Sequence, residues 1–160
     1  TVYDIVRERG CEIICDLNKS PEDDGTFDGK SYDIVLDVGT VEHCFNIAQA
    51  LMNMARIVKL RGFIIHENPF LAGNHGFYSL NPTWYADFYG QNGFEILELK
   101  LTNRYGDNFD VPRTQRFKFT EQEANVFAVA KRVELKDFSY PTQTKYKLAA
   151  AARAIGDSNG

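Results

Sequence analysis

The sequence predicts one α/β domain with a mostly parallel sheet and flanking helices. Two short apolar runs rich in β-branched residues, 11–17 and 32–38, are typical of buried strands. Between the second run and a third at 63–68, apolar residues recur at helical spacing. A strand, a helix and a strand with short joints predict a parallel crossover, since parallel strands cannot be linked by a tight hairpin.

Composition narrows the class of protein. The chain has 160 residues, 44% of them hydrophobic and 25% charged, which is ordinary for one globular domain. A net charge of −4 with scattered Lys and Arg predicts no nucleic-acid partner. No apolar run approaches the ~18 residues of a membrane helix, so we expect a cytoplasmic protein without membrane contact. Its three cysteines lack CxxC spacing, which predicts neither a disulfide framework nor a zinc site.

The first two strands are each followed by a turn signal. Residues 11–17 lead into a loop over 18–30 that is crowded with Pro, Gly, Asp and Ser. The run 32–38 is closed by Gly39. Both runs are apolar enough to predict strands buried within the sheet.

A helix and a third strand follow. Asn46 is typical of a helix cap, and apolar residues at helical spacing continue to 58, before cations and a glycine end the helix at 59–62. The third strand, 63–68, is expected to end at Pro69, which cannot donate to a strand ladder. Asn81 and Pro82 predict the start of a short aromatic helix that ends near Gly93.

The C-terminal part predicts two more strands, at 94–101 and 125–133. The polar segment 102–123 between them carries either a hairpin or a substrate-facing insertion. An alanine-rich stretch at 148–155 predicts a terminal helix. We therefore divide the chain into a domain over 1–140 and a tail over 141–160.

Polar residues stand at the ends of the predicted parallel strands, namely Asp16, Asp37 and Asn68. The loops at the carboxyl ends of parallel strands converge and form ligand sites. The sequence therefore predicts one pocket lined by these three strand ends.

The residues around the second strand and the following helix resemble a known family. The segment 32–43 reads Tyr-Asp-Ile-Val-Leu-Asp-Val-Gly-Thr-Val-Glu-His, and the helix contains Ala-Leu at 50–51 and Ala-Arg-Ile-Val-Lys at 55–59. Both resemble class I S-adenosylmethionine-dependent methyltransferases of the methyltransferase-11/12 type. Arg61 stands where those enzymes have the first glycine of a pair. The resemblance implies a Rossmann-like fold and S-adenosylmethionine as cofactor.

A narrower resemblance covers residues 39–94. Gly-Thr-Val-Glu-His-Cys-Phe-Asn at 39–46, Asn-His-Gly-Phe-Tyr at 74–78 and Leu-Asn-Pro at 80–82 are similar to methyltransferase-like proteins of bacterial glycan clusters and phages. This narrower resemblance supports the expected fold and cofactor more strongly than it supports any particular substrate. A small molecule or a sugar is the expected methyl acceptor.

The glycine loop of these enzymes is missing, because Gly-x-Gly-x-Gly occurs nowhere in the chain. Residues 2–4 align with the end of the family's second strand, so we expect the first strand and its loop to lie upstream of Thr1. The expectation is a methyltransferase domain truncated at its N-terminus. Alone, it should bind the cofactor weakly or not at all.

The resemblance assigns cofactor contacts to five residues. Asp4 would accept hydrogen bonds from the ribose diol, and Asp16 with Leu17 would lie near the adenine. For Asp16, a loop acid that caps its own turn is an equally good interpretation. Asp37 and Gly39 would lie beside the methionine end of the cofactor, because a glycine without a side chain lets the backbone come close to it.

Catalytic and acceptor-binding residues are expected nearby. Glu42 and His43 pair a carboxylate with an imidazole, which suits a general base that removes a proton from the acceptor; capping and packing are the alternative. Asn68, His75 and Tyr78 follow the third strand, where acceptor contacts are expected. Three histidines on three separate elements predict no metal site, and His66, inside a strand, is interpreted as a core residue.

Three functions remain open from the sequence. The first is methyl transfer to an oxygen or nitrogen of a small molecule or sugar. The second is a non-catalytic methyltransferase-like binding or assembly module that has lost the glycine loop. A nicotinamide-dependent enzyme ranks last, because it lacks the resemblance around residues 42–43. The oligomeric state stays open.

Overall fold

The computed structural model describes residues 1–20, 29–112 and 115–157, with helical side chains through 151. Within these ranges the chain forms two β-sheets and three α-helices. The strands are β1 Val2–Asp4, β2 Glu12–Ile14, β3 Tyr32–Val38, β4 Val58–Leu71, β5 Phe94–Asn103, β6 Asn108–Asp110 and β7 Ala124–Arg132. The helices are α1 Ile47–Ile57, α2 Pro82–Gln91 and α3 Thr144–Asp157.

The α/β class is confirmed, but the mostly parallel sheet is not. β1 and β2 form a parallel pair, and the larger sheet has the order β3-β4-β7-β5-β6. In it only β3 and β4 pair in parallel, while β7 runs against β4 and β5, and β6 runs against β5. The reason is that β5 and β6 form a hairpin, after which β7 returns between β4 and β5. Apolar periodicity predicts strands but not their directions.

The expectation that the strand over 32–38 is buried is wrong, although its bounds are confirmed. Within the described residues β3 pairs only with β4, so it is an edge strand. Its two faces also differ: Ile34, Leu36 and Val38 on one face are 56%, 65% and 65% exposed, while Val35 and Asp37 on the other face are buried.

The third strand is longer than predicted. β4 begins directly after α1, passes through Pro69 and ends at Leu71. The register against β7 shifts between Pro69 and Leu71, which accommodates the missing N–H of the proline. Proline therefore bends this strand without ending it.

Helix α1 confirms the predicted helix, but Asn46 does not cap it. Instead the Asn46 backbone N–H donates to Asn18 Oδ1 at 2.8 Å. In the buried face of α1, Asn53 Nδ2 donates to the carbonyls of Leu17 at 3.1 Å and Lys19 at 2.9 Å. These bonds hold the segment after β2 against α1, while most of the loop predicted over 18–30 lies outside the described residues.

Helix α2 begins as predicted. Asn81 Oδ1 accepts from the Thr83 N–H at 3.1 Å, and Pro82 occupies the first turn. Its rings enter the core, where Tyr85 and Tyr89 are fully buried. Aromatic packing thus attaches α2 to the sheet.

The C-terminal elements agree with the predicted pattern. The hairpin expected within 102–123 is formed by β5 and β6, and β7 follows it. α3 starts earlier than the predicted helix over 148–155, and the Thr144 N–H at its start donates to Asp87 at 3.2 Å. None of the described helices combines the length and apolar character that a membrane crossing requires.

Candidate functional site

A cavity of about 520 Å³ opens where β3, β4 and β5 end and β7 begins. These four ends meet because β3, β4 and β5 run in one direction and β7 in the other. Its volume lies within the range of roughly 300–1,000 Å³ that small-molecule sites occupy. The polar residues that line it are Glu42, Glu67, His75, Thr102, Asn103, Arg104, Glu123 and Asn125.

Glu42 is the buried acid of this cavity. It lies in a short 3-10 turn, Val41–His43, that follows β3, and its side chain is fully buried. Glu42 Oε2 accepts from Asn68 Nδ2 at 3.1 Å, and Asn68 Oδ1 accepts from the Tyr85 hydroxyl at 2.6 Å. Glu42 Oε1 has no hydrogen-bond partner among the described residues. The carboxylate is therefore held on one side and free on the other.

The loop after β4 is fastened to the same turn. The backbone N–H of Phe77 donates to the Glu42 carbonyl at 2.9 Å, and the Tyr78 hydroxyl donates to the Phe45 carbonyl at 2.8 Å. The approach is close: a Cβ at Gly76 would lie 2.9 Å from the Glu42 carbonyl oxygen. Glycine at this position lets the loop bring His75 over Glu42.

Two histidines converge on the free oxygen of Glu42. The Nε2 atoms of His43 and His75 lie 3.7 and 3.4 Å from Glu42 Oε1. Their ring centroids are 5.1 Å apart, and each side chain is 50% exposed. The structure thus joins residues 42, 43 and 75, which the sequence assigned to two separate roles.

A second polar group lies beneath the cavity, in the core. His66 Nδ1 is 2.6 Å from Asp37 Oδ2, and His66 Nε2 is 2.5 Å from the Tyr89 hydroxyl. Burial raises the pKa of Tyr89 well above its ordinary value, so this hydroxyl stays protonated. His66 is a core residue with both ring nitrogens paired, as interpreted from the sequence.

Asp37, expected at the methionine end of the cofactor, has its carboxylate inside this network. Its other oxygen accepts from the Val41 N–H at 3.2 Å, which fixes the start of the 3-10 turn. Gly39 does line the cavity, with φ at 69° and its N–H donating to the Glu67 carbonyl at 3.0 Å. Asn68 is likewise buried, behind Glu42.

The remaining predicted cofactor residues lie beside β1 and β2 and do not line the cavity. Asp4 pairs with Arg9 at 3.2 Å. Asp16 accepts from the side chain and backbone of Asn18 at 2.9 and 3.0 Å, and these bonds lower the pKa of its carboxyl. Leu17, which follows it, packs partly buried against the core. This geometry matches the interpretation of Asp16 as an acid that caps its own turn.

The segment around Asp16 nevertheless adjoins the turn after β3. The Cys44 thiol has its pKa raised to about 11 by burial and then by the nearby charges of Asp37 and Asp16. Of the three predicted strand ends, those of β3 and β4 border the cavity, through Gly39 and Glu67, whereas Asp16 is not part of its lining.

Six polar residues of the cavity were not among the predicted site residues, namely Glu67, Thr102, Asn103, Arg104, Glu123 and Asn125. Glu67 is in the middle of β4, and its Oε1 accepts from Asn125 Nδ2 at 3.3 Å. Arg104 follows β5, within the segment that was expected to face a substrate. Side chains alternate between the two faces of a strand, so Glu67 projects from the other face than His66, and this alternation could have indicated Glu67. The contact with Asn125 depends on the pairing of β7 with β4, which periodicity does not predict.

A larger cavity, of about 790 Å³, lies elsewhere. Its lining combines four aromatic side chains, Phe70, Trp84, Phe117 and Phe119, with polar side chains that include Asp87, Arg116 and Lys145. It contains none of the residues predicted for the site, and the group of Glu42 with two imidazoles is outside it. We therefore place the candidate site in the smaller cavity, where titratable groups converge.

No protein-family model matches the chain, and no curated protein matches its sequence significantly.

Proposed function

We propose that this chain belongs to an S-adenosylmethionine-dependent methyltransferase that acts on an oxygen or nitrogen of a small molecule or sugar. The observation that carries the proposal is the cavity at the ends of β3, β4 and β5, with a buried carboxylate beside two imidazoles. Ligand sites of α/β sheets lie at such strand ends. The residues that resemble class I methyltransferases form β3, the 3-10 turn and α1, and the end of β3 and the turn border this cavity.

A Rossmann-like arrangement is part of the proposal. β3 and β4 are parallel and joined through α1, and β1 pairs in parallel with β2. The Tyr3 and Tyr32 hydroxyls lie 2.7 Å apart, which places β1 next to β3 without backbone pairing between them. A further parallel strand that carries a glycine loop would pair with the edge of β3 that has no partner among the described strands.

The charge of the cavity favours a cationic ligand. Glu42, Glu67 and Glu123 line it, against one guanidinium, that of Arg104. Carboxylates in a partly enclosed cleft attract positive charge more strongly than they would in open water. S-Adenosylmethionine carries its reactive methyl group on a positively charged sulfur, so the cavity suits the reacting end of this cofactor.

In this proposal the chain's own residues align the acceptor and take its proton. His43 is half exposed, so its imidazole can reach an acceptor hydroxyl or amine. The Glu42 carboxylate, 3.7 Å away, would stabilise the imidazolium that forms. Asn68 orients that carboxylate, while His75 and Tyr78 lie on the loop where the acceptor would enter. Most of the rate would come from alignment of methyl donor and acceptor.

The experiment is isothermal titration of S-adenosylmethionine, with S-adenosylhomocysteine as a second probe. It uses this chain and a longer version that includes the coding sequence upstream of Thr1. We expect binding in the longer version and a large loss of affinity in the chain alone. A longer version that folds, carries a glycine loop and gives no heat with either probe would overturn the proposal.

One observation favours a second function, a non-catalytic binding or assembly module. Within the described residues β3 is an edge strand, and it carries the exposed apolar side chains Ile34, Leu36 and Val38 on one face. Such an edge can accept a strand from another protein, a common mode of pairing. This alternative predicts no cofactor binding in any version. Cys11, Cys15 and Cys44 form no disulfide in the described part of the chain, which is compatible with the cytoplasm in either case.

A further inference from the structure

We propose that Glu42, His43 and His75 form a binding site for a divalent transition-metal ion of the Zn²⁺ type. The three residues each offer one ligand atom, and these atoms all lie within 4.8 Å of one another. Two imidazole nitrogens and one carboxylate oxygen are the donor types that such ions prefer. The sequence predicted no metal because its three histidines lie on three separate elements. In the structure, the loop after β4 brings His75 next to Glu42 and His43.

The distances fit a shared ion better than direct hydrogen bonds. Glu42 Oε1 lies 3.7 Å from His43 Nε2 and 3.4 Å from His75 Nε2. Hydrogen bonds between nitrogen and oxygen are typically about 2.7–3.2 Å long. Two ligand atoms that are each about 2.1 Å from one tetrahedral Zn²⁺ lie roughly 3.4 Å apart. An ion can therefore contact all three atoms after small side-chain rotations.

The buried oxygen gives an independent reason. Glu42 Oε1 is fully buried and has no hydrogen-bond partner within the described part of the chain. A buried carboxylate oxygen without a partner is costly. A bound cation would remove that cost, and the oxygen faces the two imidazoles.

The surroundings of Glu42 resemble the outer shell of a metal site. Asn68 Nδ2 donates to Glu42 Oε2, and the Tyr85 hydroxyl donates to Asn68 Oδ1, so the carboxylate is fixed with Oε1 toward the histidines. Such outer hydrogen bonds orient ligands and contribute about 10–100-fold to metal affinity. Because both histidines are half exposed beside the cavity, a fourth position would remain open to water or a ligand oxygen.

This inference does not depend on methyl transfer. It does constrain that proposal, because an imidazole nitrogen bound to a metal cannot accept a proton. His43 could therefore act as the base only in chains without bound metal, and metal binding can be measured without any cofactor.

The test is titration of the chain with Zn²⁺ alone, by calorimetry, and with Co²⁺, whose visible absorption reports its coordination. All proteins carry Cys11→Ser, because Cys11 is an exposed thiol that could bind the metal by itself. We expect one ion per chain. His43→Ala and His75→Ala should each weaken binding at least tenfold. Asn68→Ala, which leaves all three ligands in place, should weaken it by about 10–100-fold.

The matched control is Glu67→Gln. Glu67 is a carboxylate of the same cavity outside the cluster, so its loss tests whether the cavity merely attracts cations. We expect at most a threefold loss of affinity, because Glu67 adds only the attraction of its charge and is not one of the three ligands. Absence of binding to the folded parent, or equal affinity in the two histidine variants and the parent, would overturn the proposal. So would a loss in Glu67→Gln as large as that in His75→Ala.

Discussion

Gly76→Ala tests how the candidate site is built. A Cβ at this position would lie 2.9 Å from the Glu42 carbonyl oxygen and 3.0 Å from Glu42 Cγ, so the loop must move away from the turn. Crowding of this kind costs about 1–3 kcal/mol. The Gly-to-Ala change also restricts the unfolded chain, which returns about 0.4–1 kcal/mol. We expect a net loss of about 1–2 kcal/mol, part of it from the weakened bond between Phe77 N–H and the Glu42 carbonyl.

Gly73→Ala is the control, because a Cβ at Gly73 meets nothing within 4 Å and the residue is not in the left-handed region. Urea unfolding followed by the fluorescence of Trp84, the single tryptophan, measures both variants. Gly73→Ala should be as stable as the parent or slightly more stable. Equal stability of the two variants, with equal Zn²⁺ affinity, would refute the reasoning that close approach at Gly76 places His75.

Three further predictions follow from buried or charged groups. Asn53→Ala leaves two loop carbonyls unpaired and should cost about 1–3 kcal/mol in the free energy of unfolding; an unchanged urea midpoint would contradict this. In the folded protein at pH 8 iodoacetamide should modify the exposed Cys11 well before Cys44, because Cys44 is buried with a pKa raised to about 11. Mass spectrometry of digests reports the order of modification, and modification of Cys44 first would contradict this prediction. Because the folded pKa of Asp16 is lowered, its stabilisation is present above the unfolded pKa and is lost as pH falls through the folded pKa. Asp16→Asn should therefore be less stable than the parent by a few tenths of a kcal/mol at pH 6, and the gap should close below about pH 4; a constant gap would contradict the assignment.

Local patterns in the sequence were sufficient for the elements around the site. The β-branched run at 32–38 predicts β3 at its observed bounds, and Asn81 with Pro82 predicts the start of α2. These succeed because strand preference, capping and proline geometry depend on neighbouring residues. Burial of β3 could not be predicted this way, since it depends on which parts of the chain pack against each of its faces.

The site itself was only half predictable. Glu42 and His43 follow from their adjacency, but their contact with His75 depends on a loop docked through Gly76. Asp37 was expected at the cofactor, whereas strand alternation and the approach of α2 turn its carboxylate toward His66 in the core. Contacts between residues far apart in the chain are set by packing, which residue spacing does not encode.

The most direct measurement is a map of backbone amide NMR shifts during titration with S-adenosylmethionine, on the longer version of the chain. The account predicts the largest changes at Gly39, Glu42 and His75, which line the cavity at the strand ends. Shifts centred instead on the larger cavity around Phe70 and Trp84, or no shifts in a folded protein, would contradict it.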